Sequence, residues 1–151
     1  MAPETAESIV EVLEIPPAEI LDRVELDNGP VFQVMRLASR DCLLRLDSSR
    51  VRWPAFRSLG FIAACEPGAE CDYEVRHLAP SSGMHEDPIT GSLNSALAHW
   101  LQSRDELTRP ITVSQGTVIE RQGRVSIEQL GPDRVSVGGQ CHILVEGQVR
   151  L

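Results

Sequence analysis

Between residues 85 and 92 the chain reads His85-Glu86-Asp87-Pro88-Ile89-Thr90-Gly91-Ser92, which places two carboxylates, two hydroxyls and a glycine directly before an apolar-striped stretch. A helix beginning here has first-turn N–H groups without intrahelical partners, and its dipole adds positive potential at that end, so the segment can hold a small anion. Gly91 lets a ligand approach the backbone closely, because no side chain stands in the way. Thr90 or Ser92 can cap the helix or donate to a ligand carboxylate. Asp87, next to that anion site, is placed for proton transfer or for orienting a polar group of the substrate. Glu86 supplies a second carboxylate, and His85 precedes the pair and could assist it. The same residue types are also the commonest helix caps, and Asp-Pro is a common turn. Composition and spacing therefore leave capping and catalysis both open.

The elements around this segment follow from periodicity. Leu93, Ala96, Leu97, Trp100 and Leu101 fall at i, i+3, i+4, i+7 and i+8, which predicts one central helix from Ser92 to about Ser103. Thr5 to Glu14 reads as an amphipathic helix stopped by Pro16-Pro17, and Ala18 to Val24 as a second, short one. Val31 to Leu37 is strand-like, with Asp41 to Leu46 as a possible partner. Trp53 to Leu59 is a short helical candidate, and Phe61 to Cys65 a buried strand. Asp72 to Leu78 alternates, with Tyr73, Val75 and His77 on one face and Glu74 and Arg76 on the other. After Pro110 the pattern predicts short strands at Ile111–Ser114, Thr117–Arg121, Arg124–Glu128, Arg134–Val137, Cys141–Glu146 and Val149–Leu151, punctuated by glycines. The expectation is a single α+β domain spanning residues 1–151, with many short strands and one central helix.

Composition limits the partners. Of 151 residues 42% are apolar, as in an ordinary globular domain, and the 22 acidic against 14 basic side chains give a net charge of −8. Such a surface repels phosphate backbones, so no nucleic acid is expected as partner. No apolar run reaches bilayer length and the first residues are acidic and polar, so no membrane contact and a cytoplasmic location are expected. Cys42, Cys65, Cys71 and Cys141 contain no C-x-x-C pair and read as reduced, mostly buried thiols. His77 reads as a packed neighbour of Tyr73. His99 and His142 lack companions at ligand spacing, so no metal site is expected. Trp100 belongs to the helix stripe and to the core. Arg45, Arg50, Arg52 and Arg57 read as a solvated face, one of which could pair across to a facing domain. Ser114 and Ser136 show no nucleophile elbow.

Arg76 to Ser92 resembles the signature of PhzF-like proteins, R-x-F-x-P followed by G-hydrophobic-x-E-D-P-x-T-G-S. Gln115-Gly116 is similar to the family's Q-G, Arg121 to Val125 lies where its G-R-x-G element is expected, and Val137-Gly138-Gly139 with Val145-Glu146-Gly147 resembles its closing strands. The resemblance implies a diaminopimelate-epimerase-like fold, in which a curved, barrel-like sheet surrounds a central helix. Two such domains then face each other across a cleft. It also implies isomerase or epimerase chemistry, moving protons on a small carboxylated substrate without a cofactor. By position Asp87 matches the family's site aspartate, while Gly91 and Ser92, with Thr90 beside them, match the residues that hold the substrate.

The departures from the pattern shape the expectation. A complete member is about twice as long, and its principal acid/base glutamate and a site histidine lie in an N-terminal domain. Nothing from Met1 to Val75 resembles that domain's N-P-x-A-V or S-E-T segments, and Glu86, inside the C-terminal motif, is not that glutamate. Leu78 replaces the usual Phe, Glu120 stands where the Gly of G-R-x-G is expected, and Leu93 replaces Ala, adding bulk beside the site. The chain is therefore expected to be the C-terminal half, with the N-terminal domain absent. It would act when joined to an N-terminal-half protein, or as a homodimer that faces Asp87 with a second Asp87. The alternative is a non-catalytic binder of small anions, a remnant of the family.

Overall fold

The computed structural model describes residues 1–150. Seven strands form one sheet whose spatial order equals their order in the chain: β1 (Ile20–Asp27), β2 (Val31–Leu37), β3 (Leu59–Ala64), β4 (Tyr73–Leu78), β5 (Ile111–Gln115), β6 (Gly123–Gly131) and β7 (Arg134–Gly139). All neighbours are antiparallel except β2 with β3 and β4 with β5. A parallel neighbour requires a crossover, and the chain supplies one each time. The first contains α2 (Arg40–Arg45) and the second contains α3 (Gly91–Ser103). Helix α3 touches both terminal strands, β1 and β7, as well as β6, so the sheet curls around it as a half-barrel. This is the α+β, diaminopimelate-epimerase-like architecture expected from the sequence, with its central helix in place.

Successive strand residues point to opposite faces, and β2, β3 and β4 are buried on both. On the concave face Phe32, Val34, Ile62, Val75, Val113 and Val125 pack against Leu93, Leu97 and Leu101 of α3. On the convex face Met35, Leu37, Phe61, Ala63 and Leu78 pack against α2 and against Ala6 and Ile9 of α1 (Pro3–Val12). Each fully buried large side chain in these layers contributes on the order of 1.5–3 kcal/mol. Sheet and helix interlock at Gly60 in β3, where a Cβ would lie 2.9 Å from Leu93 Cδ1. The leucine that replaces the family's usual alanine thus fills space inside the concave core rather than beside the candidate site.

Several local expectations are corrected. Ala18 to Val24 is not a helix: after one 3₁₀ turn at Pro17–Glu19 the chain enters β1, where half-buried and exposed residues alternate. Asp41 to Leu46 is not a strand, because Ser39 caps α2, its Oγ accepting the Cys42 N–H at 3.1 Å. Trp53 to Leu59 forms no helix; it is a turn containing a cis Trp53–Pro54 bond, and Arg57 stacks over the Trp53 ring at 5.5 Å. Thr117 to Arg121 is a 3₁₀ turn at Thr117–Ile119 between two left-handed residues, Gly116 and Glu120, a geometry that cannot continue a ladder. Residues 141–150 join no strand, and Ile143, Leu144, Val145 and Val149 are exposed. Leu151, the end of the last expected strand, lies outside the described residues.

Cys42 and Cys71 are buried free thiols, Cys65 is half-buried and Cys141 exposed. Burial pushes the first three thiols above the ordinary cysteine range. Trp100 is buried in the core as expected, with Arg104 over its ring. Arg50, read as solvated, pairs with Glu14 at 2.7 Å. Among the described residues, no helix is long and apolar enough to cross a membrane.

Candidate functional site

Asp87 is set in place by backbone bonds before any side chain acts. Its N–H donates to the His77 carbonyl at 2.9 Å, in an isolated bridge that lays the loop against β4. Two glycines hold the loop from the other side. A Cβ on Gly116 would lie 2.7 Å from the Pro88 carbonyl, and one on Gly123 would lie 3.3 Å from the same oxygen. Gly116 also has φ +87°, a left-handed conformation that other residues adopt only with strain. Gly116→Ala is expected to displace the Asp87 loop and to destabilise the chain by about 1–3 kcal/mol, read from urea unfolding. A melting curve identical to that of the parent would contradict the tight contact.

Alternation at this bridge sends the two carboxylates to different places. Glu86 turns to the convex side and forms a buried ion pair with Arg76, Nη2 to Oε2 at 2.6 Å, with both side chains fully inaccessible. It is a structural anchor, not part of a carboxylate pair with Asp87. Asp87 stays partly open to solvent, and its Oδ2 accepts the Thr90 hydroxyl at 2.7 Å. His85 is exposed and makes no hydrogen bond among the described residues, so it does not join the group.

Thr90 stands at the N-cap position of α3, yet its side chain makes no capping bond. Its hydroxyl is drawn away to Asp87, so no side-chain acceptor meets the N–H groups of Gly91, Ser92 and Leu93 among the described residues. Capping, the competing explanation for Thr90, is therefore not what this side chain does. A Cβ on Gly91 would meet nothing within 4 Å, so packing does not demand glycine there and the space above it is open. Ser92 is half-buried, and its carbonyl accepts Asn28 Nδ2 at 2.9 Å, which ties the β1–β2 turn to the helix start. Asp87, Thr90, Gly91 and Ser92 thus meet at one helix end.

The sequence reading missed four residues that complete the group. Gln115 Oε1 accepts the Thr90 N–H at 3.2 Å and Asn94 Nδ2 at 2.8 Å. Its Nε2 donates to the Thr90 hydroxyl at 3.0 Å and to the Asp87 carbonyl at 3.1 Å. His77, read as a packed neighbour of Tyr73, lies with Nδ1 2.9 Å from Thr90 Oγ1 and Nε2 2.8 Å from Ser58 Oγ. Burial holds its pKa below the ordinary histidine range, against the opposing pull of Asp87 and Glu86. Two signs of this network were readable in the sequence: the Gln115-Gly116 motif, and a polar Asn94 inside an apolar helix stripe four residues after Thr90.

Beside the group a groove of about 670 Å³ is lined by Val31, Gln33, Trp53, Arg57 and Ser58, among others. Val31 and Trp53 here, and Met84 and Ile89 on the Asp87 loop, are exposed apolar side chains. The arrangement has a helix start whose first N–H groups meet no side-chain acceptor among the described residues, an oriented carboxylate and an open side.

A family model described as phenazine biosynthesis-like protein matches residues 19–147. An uncharacterized isomerase of Pseudomonas aeruginosa is 32% identical over 93% of the chain, which covers 57% of that protein. The uncharacterized isomerase YddE of Salmonella typhimurium is 30% identical over 48% of the chain and 28% of its own length. Among solved structures, a phenazine biosynthesis protein of the PhzF family from Bacillus anthracis aligns with a TM-score of 0.66 at 16% identity, over 87% of this chain and 50% of that one. A PhzF-family protein from Enterococcus faecalis aligns with a TM-score of 0.65 at 21% identity, over 100% of this chain and 52% of that one. The chain spans a little over half the length of the Pseudomonas aeruginosa isomerase and about half of these structures.

Proposed function

This chain belongs to the PhzC-PhzF family of phenazine biosynthesis-like proteins, the PhzF-like isomerases, and from that premise we propose that it supplies one wall of a proton-transfer cleft acting on a small carboxylate. It corresponds to the C-terminal lobe, folded as one domain. In this reading the substrate carboxylate sits at the start of α3, bound by the N–H groups near Gly91 and Ser92 and by the Ser92 hydroxyl. Asp87 accepts or returns a proton, or anchors a polar group, at the neighbouring carbon. The side chains carry the proton themselves, so no cofactor is required.

The observation that carries the proposal is the Thr90 hydroxyl, which serves the Asp87 carboxylate at 2.7 Å instead of capping its own helix. That leaves a cluster of N–H donors without a side-chain acceptor beside an oriented carboxylate, an arrangement with little value to stability alone. The open side calls for a second wall, and the exposed Val31, Trp53, Met84 and Ile89 border it. Either a second copy of the chain or an N-terminal-half protein fills that role.

The solution mass from light scattering, combined with deuterium uptake from D2O, tests this. Small carboxylates with an acidic C–H beside the acid group are incubated with the assembled protein. Label at that carbon is the expected result. A dimer that binds such acids without exchanging them would reduce the chain to an anion binder.

A further inference from the structure

Every hydrogen in the network behind Asp87 can be placed from atoms whose roles are fixed. The Thr90 carbonyl can only accept, so the Asn94 atom 2.9 Å away is its NH2 group. That same NH2 faces Gln115 at 2.8 Å, which makes the Gln115 atom its oxygen, and the Thr90 N–H pointing at that oxygen agrees. Gln115 therefore presents its own NH2 to the Asp87 carbonyl, again only an acceptor, and to the Thr90 hydroxyl at 3.0 Å. Thr90 Oγ1 already accepts one hydrogen there, and it has a single proton to give. Two neighbours remain, Asp87 Oδ2 at 2.7 Å and His77 Nδ1 at 2.9 Å. With Asp87 ionised the proton goes to the carboxylate, and His77 must donate from Nδ1. Its Nε2 then carries the lone pair and accepts the Ser58 hydroxyl at 2.8 Å.

We propose that His77 is a positioning residue whose tautomer is locked to the protonation state of Asp87 through the one hydroxyl proton of Thr90. The inference rests on reading Asp87 as the group that gains and loses a proton. When Asp87 is ionised, all donors in the row Ser58, His77, Thr90 point toward it. When Asp87 holds a proton on Oδ2 it becomes the donor to Thr90, the Thr90 proton turns to His77 Nδ1, and His77 must carry its hydrogen on Nε2 toward Ser58. Moving between the states conserves atoms. A hydronium ion at the groove gives a proton to Ser58 Oγ and leaves as water, while the hydroxyl's own proton passes to Nε2. The Nδ1 proton then passes to Thr90, and the Thr90 proton passes to Asp87. No oxidant or further reactant is needed. Ser58 lines the groove beside Trp53 and Arg57, so one end of the row reaches solvent without passing the helix start where substrate would sit.

His77 is well placed to switch tautomer without charging. Burial favours its neutral form, and the charged groups that reach it are Asp87 and Glu86 on the one loop. Glu86 is neutralised by Arg76. From the other elements it is faced by Ser58, by Thr90 and by the edge of the Phe32 ring at 5.4 Å, none of which ionises in this range.

Nitrogen NMR of the histidine rings in the intact chain tests this without substrate. At a pH where carboxylates are ionised, His77 is expected as the Nδ1–H tautomer by roughly fivefold or more, the bias one buried hydrogen bond provides. Lowering the pH through the titration of Asp87, followed by carboxyl carbon NMR, should move His77 toward Nε2–H in step with that titration while the ring stays neutral. Asp87→Asn, with its NH2 toward Thr90, should show Nε2–H at neutral pH. A parent ring held as Nε2–H, or one whose tautomer ignores Asp87 in the titration, overturns the proposal whether or not the variant folds. A locked tautomer with unaltered deuterium exchange in Asp87→Asn would instead leave this coupling standing and remove Asp87 from the proton-transfer reading.

Discussion

Arg76→Ala is expected to remove about 3–5 kcal/mol of folding stability, a large share of the roughly 5–15 kcal/mol of a typical domain. The reason lies in how completely Arg76 is used. Its guanidinium is fully buried and meets Glu86 through Nε and Nη2, at 3.1 Å and 2.6 Å to the nearer oxygens. Nη1 donates to the carbonyls of Leu43 and Leu46, at 2.9 Å and 2.8 Å, at the C-terminal end of α2. Alanine would leave one buried carboxylate unpaired and the Leu46 carbonyl without its donor, while the Leu43 carbonyl would keep only the long 3.4 Å bond from the Leu46 N–H. Urea unfolding of the variant measures the loss, and a change under about 1 kcal/mol would contradict the burial described. A double replacement of Arg76 and Glu86 by methionine separates the parts. Removing both charges should recover the ionic share, while a deficit of about 1–3 kcal/mol should persist, because methionine donates nothing to the α2 carbonyls.

Asp87→Asn carries the second large effect. The amide is nearly isosteric and keeps the loop bridge to His77, since that bond uses the backbone N–H. The variant cannot accept or return a proton, so exchange activity of the assembled protein is expected to fall by about 10²–10⁴-fold. Affinity for the small acid should change far less, because its carboxylate would bind at the α3 N–H groups and not at residue 87. Equal losses in binding and exchange would mean that Asp87 serves mainly to hold the ligand.

The central helix was legible because its apolar stripe is long and continuous, and the motif at residues 85–92 was legible because its order and spacing are specific. Short segments were not. Ile20, Leu21 and Val24 mimic one helical turn, while the actual alternation in β1 is weak because Asp22 is half-buried. Cys42-Leu43-Leu44 is too short a run to distinguish strand from helix, although Ser39 ahead of it offered a cap signal. Glu74 and Arg76 correctly shared one strand face, but that face lies under α2, and both are inaccessible. Only tertiary packing reveals such a pair, since charged residues on a strand ordinarily mean solvent. The same holds for His77, whose importance comes from Ser58, Thr90 and Asp87, which lie 10 or more positions away along the chain.

Two cores on opposite faces of one sheet have a consequence for the order in which the chain can collapse during synthesis. The convex core draws its residues from Ala6 to Leu78, so its parts are all present once β4 has emerged. The concave faces of β2, β3 and β4 have no helix to cover them until Leu93 to Leu101 follow. A nascent chain stalled between those points would have one side packed and the other presenting Phe32, Val34, Ile62 and Val75 to water. Such a surface is what holding chaperones bind and what seeds aggregation. The Asp87 loop emerges within this interval, ahead of α3 and of β5 to β7, which complete the sheet.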